Sequence, residues 1–391
     1  EPATLTVAPN PVTLEGANEA EANVTLTSNK SVFSVVLADD SWLSYTISGT
    51  IVTFKAKSKN TTGNIRTTIA TITAGTGAAA KAVEVTVNQN VAAEGDASLE
   101  LSTNTVTITP DAVAKSEVIT MISDETEFAI NITDESWVKA YVDVTSKTLY
   151  FWTLSPNLNS SSRVTTATVI AGNGANAPKQ EVTITQRGLL SSEFAVGQVI
   201  ADNGSLKGGI VFWVDATNRG KAKIMSLDRE NLAWSTAGSP ASTGVTLSND
   251  DGLANTTALA ALPNAAEMPA LKYCMDKGSG WYWPTRSDLE QMFETYNGTK
   301  VADATEDNPN AITDFEKANR AAWDLIVTNV GGTAMNTAAA SSTGDSYWAS
   351  RETSSGTNAF YVRFGKPLAW DKANGKKSGA RYIRAVRSIS K

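Results

Sequence analysis

Histidine is absent from the chain's 391 residues, and cysteine occurs once, as Cys274. The first absence removes Ser-His-Asp and Cys-His nucleophile activation, the usual zinc ligand sets, and the commonest general base near neutral pH. The second excludes an intrachain disulfide and a cysteine-based metal site. A disulfide-stapled ectodomain is therefore ruled out, while an extracellular location without disulfides stays open. No apolar run approaches the ~18 residues that a membrane span needs. There is no basic excess either: 33 Lys and Arg stand against 40 Asp and Glu, for a net charge of −7. That argues against a general nucleic-acid binder. A signal peptide is missing, but Glu1 reads as the start of a mature or trimmed chain, so secretion stays open.

What is present is an ordinary globular composition, 41% hydrophobic and 19% charged, long enough for roughly two to four domains. The first half repeats itself. "DDSWLSY" around Trp42 matches "DESWVKA" around Trp137, "NTTGNIRTT" with Arg66 matches "NLNSSSRVTT" with Arg163, and "VEVTVNQN" with Gln89 matches "QEVTITQR" with Gln186. The period, about 96 residues, is too long for a solenoid unit and suits a whole β-sandwich domain. Alternating runs such as "VEVTV", "ATITA" and "EVTIT", separated by Gly, Asn and Asp clusters, predict about seven strands per copy. "GTGAAA" and "GNGANA" fit a dinucleotide fingerprint, but a strand rather than a helix follows each, so they read as hairpin turns.

The copies differ in one strand. "VTFKAK" from Val52 becomes "LYFWTL" from Leu149. Period-2 alternation sends Val52, Phe54, Leu149 and Phe151 to the core. The opposite face carries Thr53, Lys55 and Lys57 in copy one, and Tyr150, Trp152 and Leu154 in copy two. An outward apolar stripe needs a partner, either a neighbouring domain or a glycan.

From about residue 190 the pattern changes, and seven of the ten tryptophans lie beyond this point. A hairpin is expected from "GGIVFWVD" to "KAKIMSL", and then short helices in "NTTALAAL" and "PALKYCMDK", the second ending with Gly278 at C′. Cys274 falls within that helix as an inert core thiol. In "GSGWYWPTRSDLEQMF", Trp281 and Trp283 point to the core and Tyr282 to the other side. Thr285 with Asp288, or Ser287 with Glu290, caps a helix whose apolar face is Leu289, Met292, Phe293 and Tyr296. Capping accounts for the acids, and only Tyr282 and Arg286 remain without a structural task. A further helix starts at Thr313, with Glu316 as its capping partner, and presents Phe315, Ala318, Ala322 and Ile326. Strands close the chain, with Arg384 and Arg387 expected in buried ion pairs.

Two resemblances follow. The "SW" after a polar turn, the Asn...Arg before "ATITA", and the closing "VTVNQ" and "VTITQ" make residues 1–93 and 94–189 similar to BACON domains, Ig-like sandwiches of Bacteroidetes surface proteins. "GGIVFWVD", "LAWS" with Trp234, "CMDKGSGWYWPTRSDLEQMF", "YWAS", "AFYVRFG" and "YIRAVR" make residues 190–391 resemble the C-type-lectin-like domain of bacterial surface adhesins. That fold sets two helices around a twisted antiparallel sheet with long loops. The fold class expected is two all-β Ig-like sandwiches followed by an α+β C-type-lectin-like domain.

The resemblance implies a non-enzymatic, monomeric adhesion protein of a Gram-negative cell surface, or a secreted one. Its partner would be a glycan or a host surface protein, with no nucleic acid and with membrane contact only through a lipid anchor. The rival readings are a carbohydrate-processing enzyme or accessory glycan-binding subunit, and a structural subunit of a surface assembly or pilus. Candidate ligand residues are Trp370, Lys372, Lys376 and Lys377 in the basic tail, where Lys supplies charge and Trp a stacking face for sulfated or carboxylated glycans. Tyr282, Arg286, Tyr150 and Trp152 complete the set. No cofactor or metal is expected. "EDNPN" (Glu306, Asp307, Asn308) and "SNDDG" offer oxygens for calcium, but neither has the complete loop pattern of calcium-dependent lectins. The related sulfatase-activating enzymes depend on cysteine chemistry, which a single helical Cys274 does not supply.

Overall fold

A computed structural model describes residues 1–60, 62–92, 98–172, 177–202, 208–236, 242–299, 313–335, 345–354, 356–364 and 374–391. Among them each repeat forms eight strands in two four-stranded sheets. In the first, Leu5–Ala8, Glu21–Ser28, Ile51–Ala56 and Leu43–Ser48 face Val12–Leu14, Lys81–Gln89, Arg66–Ala74 and Phe33–Leu37. The second repeat has the same order. The expected seven strands become eight because the opening segment changes sheets. Leu5–Ala8 pairs antiparallel with Glu21–Ser28, whereas Val12–Leu14 runs parallel to Lys81–Gln89. Pro9 and Pro11 lie between them, and without N–H groups they cannot continue a ladder. Val24, Val52 and Phe54 fill the first core together with Ile72 and Val85. Ile119, Leu149 and Phe151 do so in the second with Val169 and Val182.

The residues that announce the repeat form one polar lock, built twice. Arg66 Nε donates to Gln89 Oε1 at 2.7 Å, and Arg163 Nε to Gln186 Oε1 at 2.7 Å. Each guanidinium carbon lies 4.7 Å from the ring centre of a buried tryptophan, Trp42 or Trp137. Asn60 and Asn157 cross-link three backbone carbonyls each. Buried polar groups are stable only when satisfied in this way, so these motifs are scaffold.

Beyond residue 190 the chain is α+β. Val199–Ile200, Gly209–Val214, Lys221–Ser226 and Val386–Ser390 form one sheet. Glu230–Ala233, Ala380–Ile383, Ser346–Glu352, Asn358–Arg363 and Asn374–Lys376 form a second. Helices α1 (Gly252–Ala260), α2 (Pro269–Met275), α3 (Arg286–Asn297) and α4 (Asp314–Asn329) pack around them. Thr285 with Asp288 and Thr313 with Glu316 make capping boxes, and Gly298 ends α3 at φ 76°. Ser287 lies inside α3. Gly278 comes two residues after the Asp276 cap of α2, not directly after the helix.

Two further expectations change. The buried face of α4 is Phe315, Glu316, Asn319, Arg320, Trp323 and Val327, while Ala318, Ala322 and Ile326 are half-buried. Polar residues occupy the buried face because α3 supplies their partners. Asn297 Nδ2 donates to Glu316 Oε1 at 2.7 Å, and Asn297 Oδ1 accepts from Arg320 Nε at 2.8 Å. Arg384 makes no ion pair among the described residues. It donates to the carbonyls of Ser226, Leu227 and Thr333, and Arg387 lies over Trp281 instead of against an acid.

Candidate functional site

The second repeat meets the third unit at an aromatic cluster and along the connecting segment. Tyr150, Trp152 and Tyr141 of the repeat surround Phe315 at the start of α4, with ring centres 5.4, 5.3 and 6.0 Å away. Lys115 Nζ sits 4.0 Å from the same ring. Burial pushes the Tyr150 phenol above its ordinary range. The outward stripe of the second repeat is therefore covered by a neighbouring part of the chain, which corrects Tyr150 and Trp152 as ligand candidates. Phe315 approaches because Gly298 has no side chain: a Cβ there would lie 2.8 Å from Phe315 Cε1.

The connecting segment is packed as well. Asp111 Oδ1 accepts from Val196 N at 2.8 Å and from Arg219 Nη2 at 2.7 Å. Glu193 pairs with Arg187. Burial pushes the Glu193 carboxyl up, but the Arg187 and Arg219 charges and hydrogen bonds outweigh it and hold it below its usual range.

The remaining candidates do not converge. Trp370, Lys372, Glu306, Asp307 and Asn308 lie outside the described residues. Lys376 is exposed on an edge strand. Lys377 is buried and paired with Glu352, its ammonium 4.5 Å from the Trp234 ring centre, so it is an internal cation and not part of a basic surface. Tyr282 does face away from Trp281 and Trp283, but the far side is a second core holding Phe212, Met225 and Leu289. Its hydroxyl lies 3.2 Å from Ser388 Oγ, which gives Tyr282 a structural task. Arg286 pairs with Glu290 one turn along the helix. In "SNDDG", Asp251 caps α1 and Asp250 accepts from Ser287.

The reading of the sequence missed Trp213. Regular alternation would place it beside Val211, but a β-bulge in the strand Gly209–Val214 breaks the register between Val211 and Trp213. A bulge re-aims the side chains that follow it. Trp213 is left half-buried beside Phe212 at the margin of the second core. It lines a cleft of about 280 Å³ between the second repeat and α3, with Val113, Gln291 and Glu294 in its walls. It also borders a groove of about 310 Å³ with Asp215, Lys221 and Ser388. Lys223 Nζ lies 5.3 Å from the ring centre and is held by Asp288 at 2.6 Å and Gln291 at 2.9 Å. A fixed aromatic ring with a few polar side chains beside it is the general form of a sugar-binding subsite.

No protein-family profile matches the sequence, and comparison with characterised proteins finds no match. Among solved structures, an endo-fucoidan hydrolase of glycoside hydrolase family 107 is similar at 11% identity and TM-score 0.28, over 48% of this chain and 29% of that one. The human desmocollin-1 ectodomain is similar at 10% identity and TM-score 0.25, over 57% of this chain and 51% of that one. A GH5 xyloglucanase from Bacteroides ovatus gives 18% identity and TM-score 0.18, over 22% of this chain and 19% of that one. The chain thus spans less than a third of the fucoidan hydrolase and about half of the desmocollin. At these scores the likenesses carry no argument about function, and the multidomain β-sandwich architecture rests on the sheets themselves. Among the described residues, no helix is long and apolar enough to cross a membrane.

Proposed function

We propose that this chain is a non-enzymatic binding protein of a bacterial cell surface. Two BACON-like sandwiches, residues 1–93 and 94–189, present a C-type-lectin-like domain, residues 190–391, whose ligand is a glycan stacked on Trp213. The observation that carries this reading is the half-exposed Trp213 ring between two clefts whose walls mix polar and apolar side chains. Aromatic faces bind the C–H faces of sugars without needing charge. Of the two acids in the wall of the cleft between the second repeat and α3, Asp111 and Glu294, Asp111 is committed to Arg219 and the Val196 amide, which favours binding over hydrolysis. A retaining or inverting pair would need two acids facing one cleft, both open to the substrate.

The test is a glycan array with the full chain, followed by affinity measurements on the best ligand. Trp213→Ala should weaken binding at least tenfold in protein that circular dichroism shows to be folded, and Trp213→Phe should restore part of it. Wild-type affinity in Trp213→Ala, or cleavage of the bound glycan by the purified protein, would overturn the reading.

A further inference from the structure

We propose that Arg363, Arg381 and Tyr361 form a receptor for an oxyanion, the sulfate ester or carboxylate of an acidic polysaccharide, on the five-stranded sheet. The site is separate from Trp213, and the choice of a polysaccharide as the bearer of the anion rests on the glycan-binding reading above.

Tyr361 and Arg363 stand two apart on the strand Asn358–Arg363 and therefore share a face. Tyr361 is the partner of Trp348 in the neighbouring strand, and Arg381 crosses the same face from Ala380–Ile383. The Arg381 guanidinium carbon lies 4.8 Å from the Trp348 ring centre and 3.6 Å from that of Tyr361. The Arg363 guanidinium carbon lies 5.6 Å from the Tyr361 ring centre, and its Nη2 donates to the Tyr361 hydroxyl at 2.9 Å. Gly375 makes this possible: a Cβ there would sit 2.4 Å from Arg381 Nη2.

Two half-buried guanidiniums thus converge on one ring. Among the described residues neither has a carboxylate partner, and Arg381 Nε is buried with no acceptor. The nearby Glu352 is committed to Lys377, Ser242 and Thr243. Burial lowers the pKa of Arg381 from its ordinary value; Tyr361 opposes this and the Arg363 charge adds to it in lesser part. A desolvated cation beside a like charge is unfavourable unless an anion joins it. Stacked arginines keep their edge N–H groups free, and that planar fork matches sulfate and carboxylate oxygens.

The experiment measures binding of the full chain to dextran sulfate, polygalacturonate and neutral dextran at low salt. The expected result is retention on one or both anionic polymers and none on neutral dextran. Retention on dextran sulfate alone assigns a sulfate ester, and retention on polygalacturonate alone a carboxylate. Arg381→Gln and Arg363→Gln should each weaken binding by about tenfold or more. Gly375→Ala, which displaces Arg381 without removing charge, should weaken it too. Lys317→Gln, an exposed cation on α4, should change nothing, and neither should Trp213→Ala, which separates this site from the other. Wild-type retention by folded Arg381→Gln and Gly375→Ala, equal loss in Lys317→Gln, or no binding to either anionic polymer would overturn the proposal.

Discussion

Where the first repeat has Ala17, Thr53 and Lys55, the second has Asp111, Tyr150 and Trp152. The equivalence of Ala17 and Asp111 comes from the lock: Gln89 Nε2 donates to the Ala17 carbonyl and Gln186 Nε2 to that of Asp111, while the carbonyls just before them, of Gly16 and Pro110, accept from the Asn60 and Asn157 amides. Ala17 offers only a methyl group. In the second repeat the same place holds an acid that grips Arg219 and the Val196 amide. Thr53 and Lys55 face solvent or surface acids, whereas Tyr150 and Trp152 clasp Phe315. The boundary between the repeats is crossed by the Lys59–Glu125 ion pair, and among the described residues no aromatic contact joins them. One fold thus stands apart from the third unit in the first copy. In the second it is a wall of the adjoining domain and of the Trp213 cleft. A few side chains on one sheet face and one loop make the difference, and the core plays no part.

The sharpest way to break this contrast is Phe315→Ala. Truncating a buried phenylalanine costs about 3–5 kcal/mol. Denaturant unfolding should then resolve the second repeat from the third unit and leave the first repeat's transition where it was. A shift in the first repeat's transition would contradict the difference drawn between the copies.

A pH series sharpens the contrast next. Asp324, on α4 and accepting from the Met335 amide, is pushed up to about 6, chiefly by burial. Its folded pKa exceeds the unfolded one, so the folded state holds the extra proton. The stability of the unit containing it should therefore fall by roughly 1–3 kcal/mol as pH rises from about 4 through about 6. Asp324→Asn should flatten that slope, and the first repeat's transition should not share it.

The shared lock gives a control of about 1–3 kcal/mol. Arg66→Ala and Arg163→Ala remove the same contacts, so chemical denaturation should record losses of similar size. The smallest effect belongs to the first boundary. Lys59→Ala removes an ion pair near the surface and should change stability by at most about 1 kcal/mol, with no change in how many transitions are seen.

The repeat and its β-sandwich texture are legible in the sequence because the lock uses side chains with one good solution each: a tryptophan under an arginine, a glutamine bridging carbonyls. The caps of α3 and α4 are legible for the same reason, since a capping box is local. The second repeat's apolar stripe is visible, but its partner is not. Phe315 reads as part of an apolar face of α4, and nothing local shows that this face is shared between two units. The buried face of α4 escapes because Glu316, Asn319 and Arg320 are satisfied by Asn297, Thr295 and Tyr296, which only the fold brings near. Lys377 reads as surface charge because its partner, Glu352, is 25 residues away. Trp213 is lost to a single bulge that alternation cannot foresee. Core and caps depend on short-range pattern, whereas the candidate sites depend on register and on contacts between units.

Scanning calorimetry of the intact chain tests the central claim most directly. If the second repeat and the third unit are one cooperative body and the first repeat stands apart, two transitions should appear. Their enthalpies should stand at roughly one to three, since unfolding enthalpy follows chain length. Two sandwiches melting together, followed or preceded by a separate third unit, would contradict the account.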